Sequence, residues 1–307
     1  MITGESVRTL GIVGTGAIGV SWAALGLSRG LDVMAWDPAD GAEERLRSQA
    51  AILLGGDAPD GRLRFAGSLA ETAAAADLVL ENGPERLETK REIFAALDAV
   101  AGPEVLLASS SSGLMPTTFA GACARHPERV LVTHPFNPPH LVPLVEVVGG
   151  RQTSEEAIEA AMTTLRALGK KPIRIRQEVP GHVANRLQAA LWREAYSLVD
   201  RGVASVADID TAIADGPGLR WSLLGPFATQ HVSGGPGGLR HVMEHLGPPM
   251  VEWWDTLEQP EWTPELKDKI AAGMDSELGD TGTADLVARR DAALRQLMRL
   301  KAEHDLS

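Results

Sequence analysis

Short apolar runs alternate with stretches of helical period along the first half of the chain. TLGIV (9–13), DVMAW (32–36), RLRFA (62–66), DLVLE (77–81), EVLLAS (104–109), VLVTH (130–134), LVEVVG (144–149) and PIRIR (172–176) have the length and apolar content of buried strands. Helical patterns separate most of them, over 17–29, 42–51, 68–76, 87–100 and 154–168. In the fourth, Leu87, Ile93, Phe94 and Leu97 share one side. Strands alternating with helices predict a doubly wound α/β unit, a parallel sheet covered on both faces. The pattern turns almost wholly helical after Pro180-Gly181, over 182–202, 205–216, 264–278 and 284–304. There Ser205, Asp208 and Ile209 read as a helix N-cap region. The glycine- and proline-rich tract 216–238 reads as loop punctuation. The expected organisation is an α/β domain over 1–179 and an all-α C-terminal domain over 180–307.

Composition narrows the function. The chain's 307 residues are enough for two cores, and 44% hydrophobic with 23% charged residues fits a soluble globular protein. A formal net charge of −12 disfavours nucleic acid. The richest basic stretches, KKPIRIR and ARRDAALRQLMRLK, are short, and the second has the spacing of a solvated helix face. The single cysteine, Cys123, forms no intrachain disulfide. His126, His134 and His140 lack the i, i+4 spacing of a helical zinc site, and prolines interrupt their run, so no metal is expected. MITGESVRTL shows no leader pattern, and no apolar run approaches the ~18 residues of a membrane span, so a cytoplasmic location is expected.

The stretch GIVGTGAIG (11–19) places Gly14, Gly16 and Gly19 between a predicted strand and a predicted helix. In that context the first glycine permits a tight turn, the second lets backbone approach a pyrophosphate, and the third lets helix and strand pack closely. Amides at the helix start face the anion. Asp37 closes the second strand, where it would accept hydrogen bonds from ribose hydroxyls and repel a 2′-phosphate. The α/β domain is therefore expected to be Rossmann-type and to hold NAD rather than NADP. Flavin and S-adenosylmethionine binding on the same fold stay as rivals.

Three further segments, ASSSSGL (108–114), HPFNPPHLVPLVEVVGG (134–150) and PGHVANRL (180–187), together resemble the L-3-hydroxyacyl-CoA dehydrogenase family over nearly the whole chain. The resemblance implies oxidation of a secondary alcohol by hydride transfer. It implies a catalytic histidine at His134, its glutamate partner at Glu146, a serine at Ser112 and an asparagine at Asn185. It also implies that Glu85 and Lys90 are the acid and lysine near the nicotinamide ribose, that the active site lies in a cleft between the domains, and that the protein is a homodimer formed through the helical domain. The residue types suit the chemistry. Imidazole removes a hydroxyl proton near neutral pH, and a carboxylate on its far nitrogen fixes the tautomer. Ser112 and Asn185 offer hydrogen bonds that orient the reacting carbon. Because four serines run together over 109–112, the serine assignment can shift by one position.

Two departures point within the family. Pro143 stands where acyl-CoA members carry a lysine, and GPGLRWSLLGPF (216–227) contains Arg220 and Trp221. Both resemble the branch of L-gulonate 3-dehydrogenases (lambda-crystallins) and L-carnitine dehydrogenases. That resemblance implies a small free L-3-hydroxy acid as substrate, with Arg220 pairing its carboxylate in the bidentate manner of a guanidinium. Trp221, Trp253 and Trp254 either wall the pocket or pack in a core or interface. The alternatives are a short-chain 3-hydroxyacyl-CoA dehydrogenase, whose substrate is a CoA ester, and a non-catalytic NAD-binding or structural protein.

Overall fold

The apolar runs of the first half become eight strands: β1 (Thr9–Val13), β2 (Asp32–Trp36), β3 (Leu63–Phe65), β4 (Leu78–Glu81), β5 (Leu106–Ser109), β6 (Val130–Pro135), β7 (Leu144–Gly149) and β8 (Lys171–Ile175). The computed structural model describes residues 7–58 and 61–306, so most of the N-terminal stretch read for a leader lies outside the described residues. The strands form one sheet in the order β3-β2-β1-β4-β5-β6-β7-β8. Helices α1 (Ala17–Ser28), α2 (Ala42–Leu54), α3 (Leu69–Ala75), α4 (Leu87–Val100), α5 (Thr117–Ala120) and α6 (Glu155–Ala167) belong to the same region. Alternate residues of one strand feed different cores: Leu78 and Leu80 join one buried apolar cluster and Val79 the other. This is the pattern of a sheet covered on both faces.

The sheet is not wholly parallel. β6 pairs antiparallel with β7, whereas every other pairing is parallel. The short connection 136–143 explains this, because a parallel crossover needs about a dozen residues or more.

The helices after the sheet are α7 (Ala184–Asp200), α8 (Val206–Ala214), α9 (Pro217–Leu223), α10 (Pro226–Ser233), α11 (Gly238–His245), α12 (Gly247–Trp254), α13 (Pro264–Leu278) and α14 (Thr283–Glu303). Ser205 caps α8 in a reciprocal capping box with Asp208. The tract 216–238, expected as loop, is largely helical. Pro217 and Pro226 stand in the first turns of α9 and α10, where a proline lacks only a hydrogen bond the helix would not make. The chain divides into two compact units, Met1–Arg186 and Leu187–Ser307. Residues 180–186 group with the sheet in the first of these units.

Candidate active site

The glycine turn has the geometry its sequence implies. Gly14 has φ +87°, and a Cβ there would stand 2.8 Å from the Asn82 carbonyl carbon. A Cβ on Gly19 would stand 2.0 Å from the Gly14 carbonyl oxygen, so only glycine lets α1 begin this close to the turn. Gly16 differs: no heavy atom lies within 4 Å of its Cβ position. Gly16 is also the N-cap of α1 and provides no side-chain acceptor, which leaves the first-turn amides for an outside anion. Asp37 follows β2. Its Oδ2 accepts from Thr15 N at 2.7 Å and from Thr15 Oγ1 at 3.1 Å, and its Oδ1 accepts from Ala39 N at 2.9 Å. These residues fit a dinucleotide: an open face at the middle glycine, free helix amides and a fixed carboxylate one strand away.

The hairpin of β6 and β7 brings His134 and Glu146 into direct register. His134 Nδ1 lies 2.7 Å from Glu146 Oε2. The other oxygen, Oε1, accepts the amides of Val183 and Ala184 at 2.9 Å each, at the start of α7. Glu146 is fully buried and His134 nearly so. Burial pushes the Glu146 carboxyl up, but the bonds from His134, Ala184 and Val183 outweigh it and hold it below the usual carboxylate range. An ionised carboxylate only accepts, so His134 Nδ1 carries the hydrogen and Nε2 keeps its lone pair. The Phe136 ring packs against His134 edge-on, with centroids 5.3 Å apart.

The serine run closes the other side. Ser111 is buried and donates to Glu85 Oε1 at 2.6 Å, and Glu85 also takes the Gly113 amide at 3.0 Å. Burial raises the Glu85 carboxyl, yet the bonds from Ser111 and Gly113, with Lys90 and Leu114, bring it below its ordinary value. Ser112 is exposed, which favours it over its buried neighbour as the serine available to a ligand. Asn185 Nδ2 donates to the Ser112 carbonyl oxygen at 3.1 Å, so the asparagine holds the serine's backbone.

Lys90, expected with Glu85 near the nicotinamide ribose, is hydrogen-bonded within the α/β unit. It is buried, and Nζ donates to both Glu81 oxygens at 2.8 Å and to the Gly83 carbonyl at 3.0 Å. Its three hydrogens are thereby used, so Lys90 acts as an internal tie. Arg220 lies on α9 in the second unit, exposed, with no side-chain hydrogen bond or ion pair among the described residues. Sequence reasoning missed Glu81, Thr15 and His182. Glu81 looked like the polar end of an apolar strand. His182 falls in the PGHVANRL segment, but nothing in its spacing marks it. Among the described residues no group of three or more His, Cys, Asp or Glu is placed to hold a metal ion, and no helix is long and apolar enough to cross a membrane.

Comparison with known proteins defines the class. Residues 9–179 match the family model described as "3-hydroxyacyl-CoA dehydrogenase, NAD binding domain", and 181–279 match its C-terminal domain. The protein is an NAD-dependent oxidoreductase with a Rossmann-type sheet and a helical C-terminal domain. More particularly, the chain belongs to the 3-hydroxyacyl-CoA dehydrogenase family. It is 44% identical over 313 residues to an L-carnitine dehydrogenase of Pseudomonas putida, covering 98% of this chain and 97% of that one. It is 45% identical to a 3-hydroxyacyl-CoA dehydrogenase of Gibberella moniliformis, covering 97% and 96%. Among solved structures it resembles 5-formyl-3-hydroxy-2-methylpyridine 4-carboxylic acid 5-dehydrogenase, an NAD+-dependent dismutase, with TM-score 0.80 and 28% identity over 96% of this chain and 99% of that one.

Proposed function

We propose that this protein oxidises the 3-hydroxyl of a small, free L-3-hydroxy acid, carnitine-like before gulonate-like, to the 3-keto acid. The reading rests chiefly on the buried His134–Glu146 pair at 2.7 Å. His134 Nε2 takes the hydroxyl proton, and Glu146 fixes the tautomer and stabilises the imidazolium. When bound, NAD supplies the hydride acceptor. Ser112 Oγ–H donates to the substrate oxygen or the nicotinamide amide oxygen, and the Asn185 amide oxygen, its Nδ2 being held by the Ser112 carbonyl, accepts from the nicotinamide amide N–H. In the reverse direction the His134 imidazolium returns the proton to the ketone.

Gly14, Gly16, Gly19 and Asp37 hold the dinucleotide in this reading, with Glu85 near the nicotinamide ribose. Arg220 pairs the substrate carboxylate. Support for a free acid comes from Pro143 in place of a lysine and from the names of relatives that act on carnitine and on a pyridine carboxylic acid. A CoA ester is the second reading, favoured by the name of the Gibberella relative. We assign cofactor binding to residues 1–179, and substrate binding and dimerisation to residues 180–307. A homodimer through the helical unit is supported by α8, α9, α12 and α14, which contain no buried residue, and by the exposed Phe227, Trp253 and Trp254. The expected compartment is the cytoplasm.

The deciding experiment is NADH formation by the purified protein with NAD and L-carnitine, L-gulonate or L-3-hydroxybutyryl-CoA in parallel. Preference for a free acid supports the reading, and preference for the CoA ester replaces it with the second.

A further inference from the structure

At the turn entering α7, Gly181 and His182 both take left-handed backbone angles, φ +77° and +52°. Glycine adopts that region freely, but a residue with a Cβ is strained there. The His182 side chain is wholly buried. Its Nε2 lies 3.2 Å from the Ser111 carbonyl oxygen, and a carbonyl only accepts, so Nε2 carries the hydrogen. Nδ1 is then a bare acceptor, buried and without a hydrogen-bond partner among the described residues. The ring centroid stands 5.4 Å from that of His134. Strain, full burial and an unpaired nitrogen thus fall on one residue packed against the proposed base. Such a concentration of unfavourable features persists where the surroundings enforce it, and it marks functional positions.

The neighbouring hydrogen bonds show what is enforced. His182 holds the Ser111 carbonyl, Asn185 holds the Ser112 carbonyl, and the amides between them hold Glu146. One short segment therefore ties the serine turn to the His134–Glu146 pair. We propose that His182 is a positioning residue for hydride transfer, whose Nε2–H fixes the Ser111–Ser112 turn against the His134 ring. The proposal rests on the reading of His134 and Ser112 above. Burial, with His134 beside it, pushes the His182 imidazole below its ordinary range, while the Ser111 carbonyl, Glu146 and Glu85 oppose that shift.

The test uses the full-length protein with NAD and whichever of L-carnitine, L-gulonate and L-3-hydroxybutyryl-CoA it oxidises fastest. His134→Asn is expected to be inactive. His182→Phe keeps the ring's volume and loses the donor: kcat should fall about tenfold or more, with KM for NAD within about twofold. His182→Gln keeps an N–H able to reach the Ser111 carbonyl and should recover kcat to within about threefold of the native value. If His182→Phe does not fold, His182→Gly, whose backbone accepts the left-handed angle, is read in its place with the same expected loss. Native kcat in the Phe or Gly variant, or a Gln variant no better than Phe or Gly, overturns the proposal while an inactive His134→Asn leaves the base reading standing. An active His134→Asn, or no turnover with any of the three substrates, removes the base reading and this proposal with it.

Discussion

Glu146 faces His134 across the β6–β7 ladder and spends its two oxygens differently, Oε2 on the imidazole at 2.7 Å and Oε1 on the amides of Val183 and Ala184 at 2.9 Å. That division makes Glu146→Gln an informative change. The two amides require an acceptor, so the glutamine oxygen must turn to them and its NH2 must face Nδ1. His134 is then forced to accept at Nδ1 and to carry its hydrogen on Nε2, the wrong tautomer for a base. The expected loss is about 10²- to 10⁴-fold in kcat, the range of general acid–base contributions. NAD titration should give an affinity close to native. Substantial turnover in the Gln variant would show that Glu146 does not orient the base.

Gly16 and Gly19 separate binding from folding. Gly16→Ala puts a methyl into space with no heavy atom within 4 Å, whereas Gly19→Ala drives one to 2.0 Å from the Gly14 carbonyl oxygen. The first variant should melt close to native yet bind NAD at least about tenfold more weakly, because the methyl occupies the approach of the pyrophosphate. The second should lose a few kcal/mol of stability, about the cost of overpacking. Calorimetry and NAD titration of the pair read both effects, and native NAD affinity in Gly16→Ala would move the pyrophosphate elsewhere.

Asp37 also fixes the glycine turn, through Thr15 N at 2.7 Å and Thr15 Oγ1 at 3.1 Å. In the proposed reading, Asp37→Ala removes the ribose acceptor and the repulsion of a 2′-phosphate together. The ratio of kcat/KM for NAD over NADP should fall at least about tenfold, about one charge-assisted hydrogen bond. An unchanged ratio would take Asp37 away from the ribose.

Arg220 distinguishes the free-acid and CoA readings. Arg220→Met keeps much of the apolar length and removes the fork that matches a carboxylate. For a free 3-hydroxy acid, kcat/KM should drop by about 1.5–3 kcal/mol of transition-state binding, the worth of a hydrogen bond to a charged group. Oxidation of L-3-hydroxybutyryl-CoA should change little. Equal losses with both substrates would point to a structural role for the arginine.

Much of this was legible in the sequence because apolar runs and glycine spacing encode local geometry. β1, β2, the turn from Gly14 to Gly19 and Asp37 sit where their pattern predicts. Direction is not encoded in an apolar run, so the antiparallel pairing of β6 and β7 had to come from the short connection 136–143. The helices over 216–238 were hidden because proline breaks a helix interior but opens its first turn. His134 and Glu146 were legible from a motif, and their register shows why the spacing works. The attachment of Lys90 to Glu81 was not, since a buried ion pair between β4 and α4 has no local signature.

Lys170 gives the stability of the fold a particular dependence on pH. Its ammonium is buried, donates to the carbonyls of Pro139 and Val142 in the loop between His134 and Glu146, and stands 5.1 Å from the Trp22 ring centroid. It makes no ion pair among the described residues. Burial, reinforced by Arg29, pushes its pKa from 10.5 down to about 8. Below about pH 8 the amine is protonated in both folded and unfolded chains, and the cost of burying the charge is fully present. Between about 8 and 10.5 the folded chain releases its proton first, so this group's contribution to stability rises with pH. The opposite sign holds on the acid side. Glu146 and Glu85 are held below 4.5, so their stabilisation is present above that pH and is lost as pH falls through their folded values. Melting curves of the native protein and Lys170→Met from pH 3 to 10 should show parallel acid losses. Above pH 8 the native protein should gain on the variant, because a neutral amine still has two hydrogens for the two carbonyls. A difference in Tm that stays flat from pH 7 to 10 would mean that the buried amine does not titrate in that window.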